Sequence, residues 1–109
     1  MAYDEQLAKR LNKIIEGRSD FYQQKMFGGI GFLLQGKMCF WIWNEFLILR
    51  LGEKQTAKAF KNKYTKPFDI TGRVMKGWVM IKPEGMKTKT SLGRWVSQAI
   101  DFVSRLPRK

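Results

Sequence analysis

The sequence contains no histidine and a single cysteine, Cys39. Without histidine the chain lacks the commonest general base and the commonest transition-metal ligand, which sets aside imidazole-built zinc centres and the Ser-His-Asp and Cys-His catalytic arrangements. A lone cysteine cannot close an internal disulfide, which suits a reducing compartment. Its setting in "MCFWIW" (Met38 to Trp43) marks it as a small buried hydrophobe rather than a nucleophile. Acids are scarce, with nine Asp and Glu against 21 Lys and Arg. Among them Asp69, Glu84 and Asp101 lack the paired spacing that shared acid-base work needs. Asp69 beside Thr71, Gly72 and Arg73 reads as a turn held by side-chain hydrogen bonds. No apolar run approaches the roughly 18 to 20 residues of a membrane span, and an N-terminus carrying Asp4 and Glu5 is unlike a secretory signal. These absences predict a cytoplasmic, non-enzymatic protein with no cofactor, no metal and no membrane partner.

What the chain does hold is core-forming material and positive charge. Its 109 residues suffice for one domain, 1–109, with one core. Eight Phe, four Trp and three Tyr are far more than a disordered chain carries. The net charge of +12 favours encounters with polyanions such as nucleic acid, anionic lipid or an acidic protein surface. The same excess also describes a well-solvated basic surface with no dedicated partner.

Periodicity predicts the elements. Tyr3, Leu7, Leu11, Ile14 and Ile15 recur at helical spacing from Asp4 to Glu16, with Gly17 as a stop. From Gln24 to Leu51 apolar runs broken at Gly36 and Asn44 read as a three-stranded meander. Its alternation places Met38, Phe40 and Ile42 on one face and Cys39, Trp41 and Trp43 on the other, so both faces need cover from the chain itself or from a partner. A shorter helix is predicted from Gly52 to Asn62 with Ala57 and Phe60 inward, then strands at Pro67 to Ile70 and Trp78 to Lys82. A last helix, capped by Thr88 or Thr90, runs to about Arg105 with a stripe of Leu92, Trp95, Val96, Ala99, Val103 and Leu106. The predicted class is α+β, in two layers with a central antiparallel sheet, in the order helix, three strands, helix, two strands, helix.

Gly31, Gly36 and Lys37 spell most of a nucleotide-binding P-loop, but Met38 stands where the magnesium-binding hydroxyl belongs. Phe32, Leu33, Leu34 and Gln35 fill the interval, and another strand rather than a helix follows. The pattern therefore reads as sheet architecture. Gly28, Gly29 and Gly31 beside Phe27 and Phe32 suggest a bulge or a close backbone approach, and Gly36 closes a hairpin.

Several segments in order, "KMFGG" (Lys25 to Gly29), "GKM" (Gly36 to Met38), "LILRLG" (Leu47 to Gly52), "MKGWVMI" (Met75 to Ile81) and "VSRLP" (Val103 to Pro107), resemble the N-terminal domain of the TfoX/Sxy family. The resemblance implies a two-layer domain related to secretion-chaperone-like folds, and no catalytic residues. It also implies a bacterial regulatory role, in which competence regulators act through contacts with transcription components. Full-length members carry a further helical domain that this sequence does not reach, so a stand-alone N-terminal domain is expected.

Two surfaces follow as candidates. If the helices cover one sheet face, Trp41, Trp43 and Phe46 on the other form an apolar interface for a protein partner or a homodimer, the alternative being that these rings pack under loops or against the last helix. Lys54, Lys58 and Lys61, at helical spacing, with Lys63, Lys66, Arg73 and Lys76, form the densest basic stretch and a candidate nucleic-acid surface of weak sequence selectivity. Its bland counterpart is a solvated helix face.

Overall fold

The computed structural model describes residues 3–26, 28–68 and 75–106. Helix α1 spans Glu5–Ile14, and the Asp4 carboxylate caps it by accepting from the Gln6 and Leu7 N–H groups at 2.9 and 3.2 Å. Four strands follow: β1 (Phe21–Met26), β2 (Gly29–Leu34), β3 (Lys37–Trp43) and β4 (Phe46–Arg50). Next come α2 (Glu53–Ala59), β5 (Thr65–Pro67), β6 (Trp78–Ile81), a 3-10 turn at Pro83–Met86, and α3 (Lys89–Ser104). The Thr88 hydroxyl caps α3 by accepting from the Ser91 N–H at 3.0 Å.

The six strands form one sheet in the order β1-β2-β3-β4-β6-β5, and every neighbouring pair is antiparallel. The α+β class with an antiparallel sheet stands, but the first block has four strands where the sequence predicts three. The stretch read as one glycine-rich strand is split at Gly28, whose φ of +78° is open to glycine and costly to other residues. Asn44 (φ +55°) and the pair Gln35 and Gly36 (φ +52° and +84°) make the two turns that the sequence marks.

The helices share one face of the sheet. Leu7 and Leu11 of α1, Ala59 of α2, and Leu92, Trp95, Val96, Ala99 and Val103 of α3 are buried in one cluster with Phe32, Phe40, Ile42, Leu47, Leu49, Val79 and Ile81. Phe32 and Phe40 stack at 4.8 Å in its middle. Each such ring, fully buried, stabilises the fold by about 1.5–3 kcal/mol. Trp95 keeps its indole N–H satisfied by donating to the Gly85 carbonyl at 3.1 Å.

Three local expectations give way. Phe32 pairs with Phe40 while Leu33 pairs with Met38, so Cys39 is the extra residue of a bulge. Cys39 therefore joins the helix-side core, and Met38 crosses to the opposite face, the reverse of strict alternation. In α2 the inward residues are Thr56 and Ala59, while Ala57 is exposed and Phe60 is 42% exposed. Thr56 can turn inward because its hydroxyl donates to the Glu53 carbonyl at 2.9 Å, leaving its methyl for the core. Strand β5 begins at Thr65, earlier than predicted; Asp69 and Ile70, and the Asp69 to Arg73 turn, lie outside the described residues.

Candidate functional site

The pairing register builds the sheet face that the helices leave. One transverse row runs Gln24, Gly31, Trp41, Ile48, Met80, Lys66. Toward one end of the strands lie Trp43 and Phe46, and toward the other Met38, Arg50 and Trp78. Large side chains of β3 need space over β2, and the glycines supply it. A Cβ on Gly29 would stand 2.0 Å from the Ile42 carbonyl oxygen and 2.7 Å from the Trp41 indole nitrogen. One on Gly31 would meet the end of Met38 at 3.0 Å. Gly29 thus leaves room for Trp41 and Gly31 for Met38, while Gly36 makes a turn and Lys37 extends its ammonium to the Leu106 carbonyl at 3.1 Å, at the end of α3.

The centre of this face is closed within the chain. Trp41, Ile48, Met80 and Phe68 are buried together, with Phe68 edge-on to Trp41 at 5.7 Å and tilted against Trp78 at 5.9 Å. Trp41, predicted as an exposed interface ring, is only 4% exposed, because Phe68 packs onto it. The accessible part is a rim of part-buried side chains, Met38, Trp43, Phe46 and Trp78. Trp43 and Phe46 stack at 6.3 Å beside the β3–β4 turn, and the Asp4 N–H holds that turn by donating to the Asn44 carbonyl at 2.8 Å. Cations lie over two of the rings: the Lys66 ammonium 5.8 Å from the Phe46 centroid, and the Arg50 guanidinium 5.8 Å from that of Trp78. Sequence reasoning finds Trp43 and Phe46 but misses Met38, which reaches this face through the bulge, Trp78, which reaches it through the β4–β6 register, and Arg50, which alternation along β4 from Phe46 places there.

The structure does not gather the nominated basic residues onto one face. Lys54 and Lys58 are exposed on α2, against the helix-covered side, and Lys61 and Lys63 are exposed in the turn that follows. Lys66 stands on the opposite face. Lys76 lines a cleft of about 320 Å³ with Arg50, Glu53, Trp78 and Phe102. Arg73 lies outside the described residues. The ion pairs among the described residues are Arg18–Asp20 and Arg105–Asp101, and neither uses these lysines. The Arg18 guanidinium, bonded to Asp20, holds that carboxyl below the usual range.

Burial pushes the Cys39 thiol up to about 12, only partly opposed by Arg18 and Arg50, so it is protonated and inert at neutral pH. Among the described residues no three His, Cys, Asp or Glu side chains come together as a metal site, and no helix is long and apolar enough to cross a membrane.

No curated protein and no solved structure matches the chain. The model of the TfoX N-terminal domain does, over residues 13–103, which takes in every strand of the sheet, α2 and nearly all of α3. The chain belongs to the TfoX N-terminal domain family.

Proposed function

We propose that this protein is a competence-regulator-like, non-enzymatic adaptor that acts in the cytoplasm by contacting a protein component of the transcription machinery. The contact surface is the aromatic rim on the sheet face opposite the helices. The observation that supports this most is the Trp43–Phe46 stack, left part-buried on a rigid hairpin beside a buried aromatic centre. Part-buried aromatic rings at a surface are the usual anchors of protein interfaces, each costing about 2 kcal/mol or more when truncated. The test is a Trp43→Ala/Phe46→Ala variant, checked for retained fold by near-ultraviolet circular dichroism. Transcription proteins captured from the native host by the wild type, in the presence of nuclease, should be lost with the variant. Unchanged capture by the folded variant overturns the assignment of the surface.

A second reading, weakly sequence-selective nucleic-acid binding, is favoured by one observation. Lys54, Lys58, Lys61 and Lys63 are all exposed, and no described ion pair includes any of them. Such a surface binds through phosphates, and its affinity falls steeply with salt.

A further inference from the structure

The two edges of the sheet are unlike each other. At one edge, β5 is three residues long and carries Lys66 and Pro67. The Thr65 hydroxyl donates to the Ala59 and Asn62 carbonyls at 2.8 Å, tying the strand to the end of α2. Short length, lysine and proline are the devices by which sheets blunt an edge. At the other edge, β1 pairs residue for residue with β2 from Phe21 to Met26, with no bulge, glycine or proline. Residues 22 to 25 are exposed, and Tyr22, at 52%, is the most exposed large hydrophobic side chain among the described residues. Among the described residues, no backbone group of Phe21–Met26 makes a hydrogen bond beyond the β2 ladder. A strand about 20 Å long thus offers an outer row of unused N–H and C=O groups.

We infer that β1 is a self-association edge, pairing antiparallel with β1 of a second copy to continue the sheet across a two-fold axis. The occupant follows from charge and symmetry. Each copy carries +12, so two copies meet favourably only where cations are sparse. Strand β1 has one lysine in six residues, and the neighbouring Arg18 is already paired with Asp20. A two-fold axis normal to the sheet sets residues of the same face opposite each other, which permits an axis at Gln24. Gln24 then faces its own copy, Lys25 faces Gln23 of the second copy and not another lysine, and Tyr22 faces Met26 of the second copy. Aromatic against thioether is a favourable cross-strand contact. An acidic or extended foreign peptide would find one cation here, whereas the strand is complementary to itself.

The association is weak, because one strand edge buries less than the roughly 1,000 Å² of a stable interface. It also strengthens with salt, which screens the repulsion between copies. Sedimentation velocity on the full chain, from micromolar to millimolar, should show a monomer–dimer equilibrium several-fold tighter in 0.5 M than in 0.05 M salt, estimated as about that much from screening. Amide exchange on alternate residues of β1, and not of β5, should slow as concentration rises. Gln23→Lys/Gln24→Lys, both on exposed side chains, sets the lysine at position 24 against its own copy and the one at position 23 against Lys25 across the axis at Gln24, and should weaken the dimer about ten-fold or more. Trp43→Ala/Phe46→Ala, which tests the adaptor surface, should leave it unchanged. A chain that stays monomeric at millimolar concentration in high salt overturns the proposal. So does a dimer that survives the double lysine variant or dissolves with the aromatic one.

Discussion

Gly29 has no space for even one methyl group, and the obstruction is the Ile42 carbonyl oxygen, backbone of a neighbouring strand that cannot yield without breaking the sheet. Gly29→Ala should therefore destabilise the protein by about 3 kcal/mol or more, at the upper end of overpacking effects. Gly93 lies inside α3 with nothing within 4 Å of an added Cβ. Gly93→Ala should stabilise by about 0.5–1 kcal/mol through helix propensity alone. Urea denaturation of the pair reads both signs, and equal effects would refute the packing argument. Cys39 yields a pH prediction. Its thiol titrates near 9 in the unfolded chain and near 12 when buried, so above pH 9 the unfolded state loses a proton that the native state keeps. Stability should fall between pH 9 and about 12, and Cys39→Ala should remove that part of the slope. Comparing the slopes, rather than the absolute stabilities, cancels the cavity left by the truncated side chain.

At the scale of elements, what the sequence revealed was set by local chemistry and what it concealed was set by pairing. Asp4 and Thr88 cap their helices with their own side chains, and α1 and α3 lie within a residue or two of the predicted bounds. Thr88→Ala should cost about 1 kcal/mol, as an N-cap hydroxyl does, while Thr90→Ala, one residue inside α3, should cost much less. Thermal melts distinguish them, and equal losses would mean that the cap lies elsewhere. The hairpin at Gln35 and Gly36 was legible because both positions need positive φ and glycine marks the second. The bulge at Cys39 was not, since no residue type announces it; it is visible only when Phe32 and Leu33 are matched against β3. The same blindness assigned Met38 to the wrong face. It also kept Trp78 out of the candidate site, because strands distant in sequence share a face only through register, whereas Arg50 follows from Phe46 by simple alternation along β4. Trp41 fails for a different reason. Its placement on that face was right, but its cover, Phe68, comes from a segment whose packing no periodicity records.

For the whole molecule, the governing quantity is a charge of +12 that two described ion pairs hardly touch. The sequence marks seven basic residues as a candidate nucleic-acid surface, and contact with about five phosphates would give a log-log salt slope of about −4 to −5. The fold divides them. Lys54 and Lys58 belong to α2 on the helix-covered side, Lys61 and Lys63 to the turn after it, and Lys66 to the opposite face over Phe46. A rigid duplex lying along α2 can meet about four of these cations at once, which lowers the expected slope to about −3 to −4. Lys54→Gln/Lys58→Gln/Lys61→Gln should then reduce it to about −1, whereas Lys66→Gln should leave it unchanged. Fluorescence anisotropy on mixed-sequence duplex DNA between 50 and 200 mM salt, on the order of the range over which phosphate contacts are lost, measures both. If Lys66→Gln lowers the slope as much as a lysine of α2 does, the ligand must bend around the edge of the sheet, as a single strand can and a duplex cannot. If the wild type shows no binding at the low-salt end, the basic surface serves solubility, and the aromatic rim keeps the functional assignment alone.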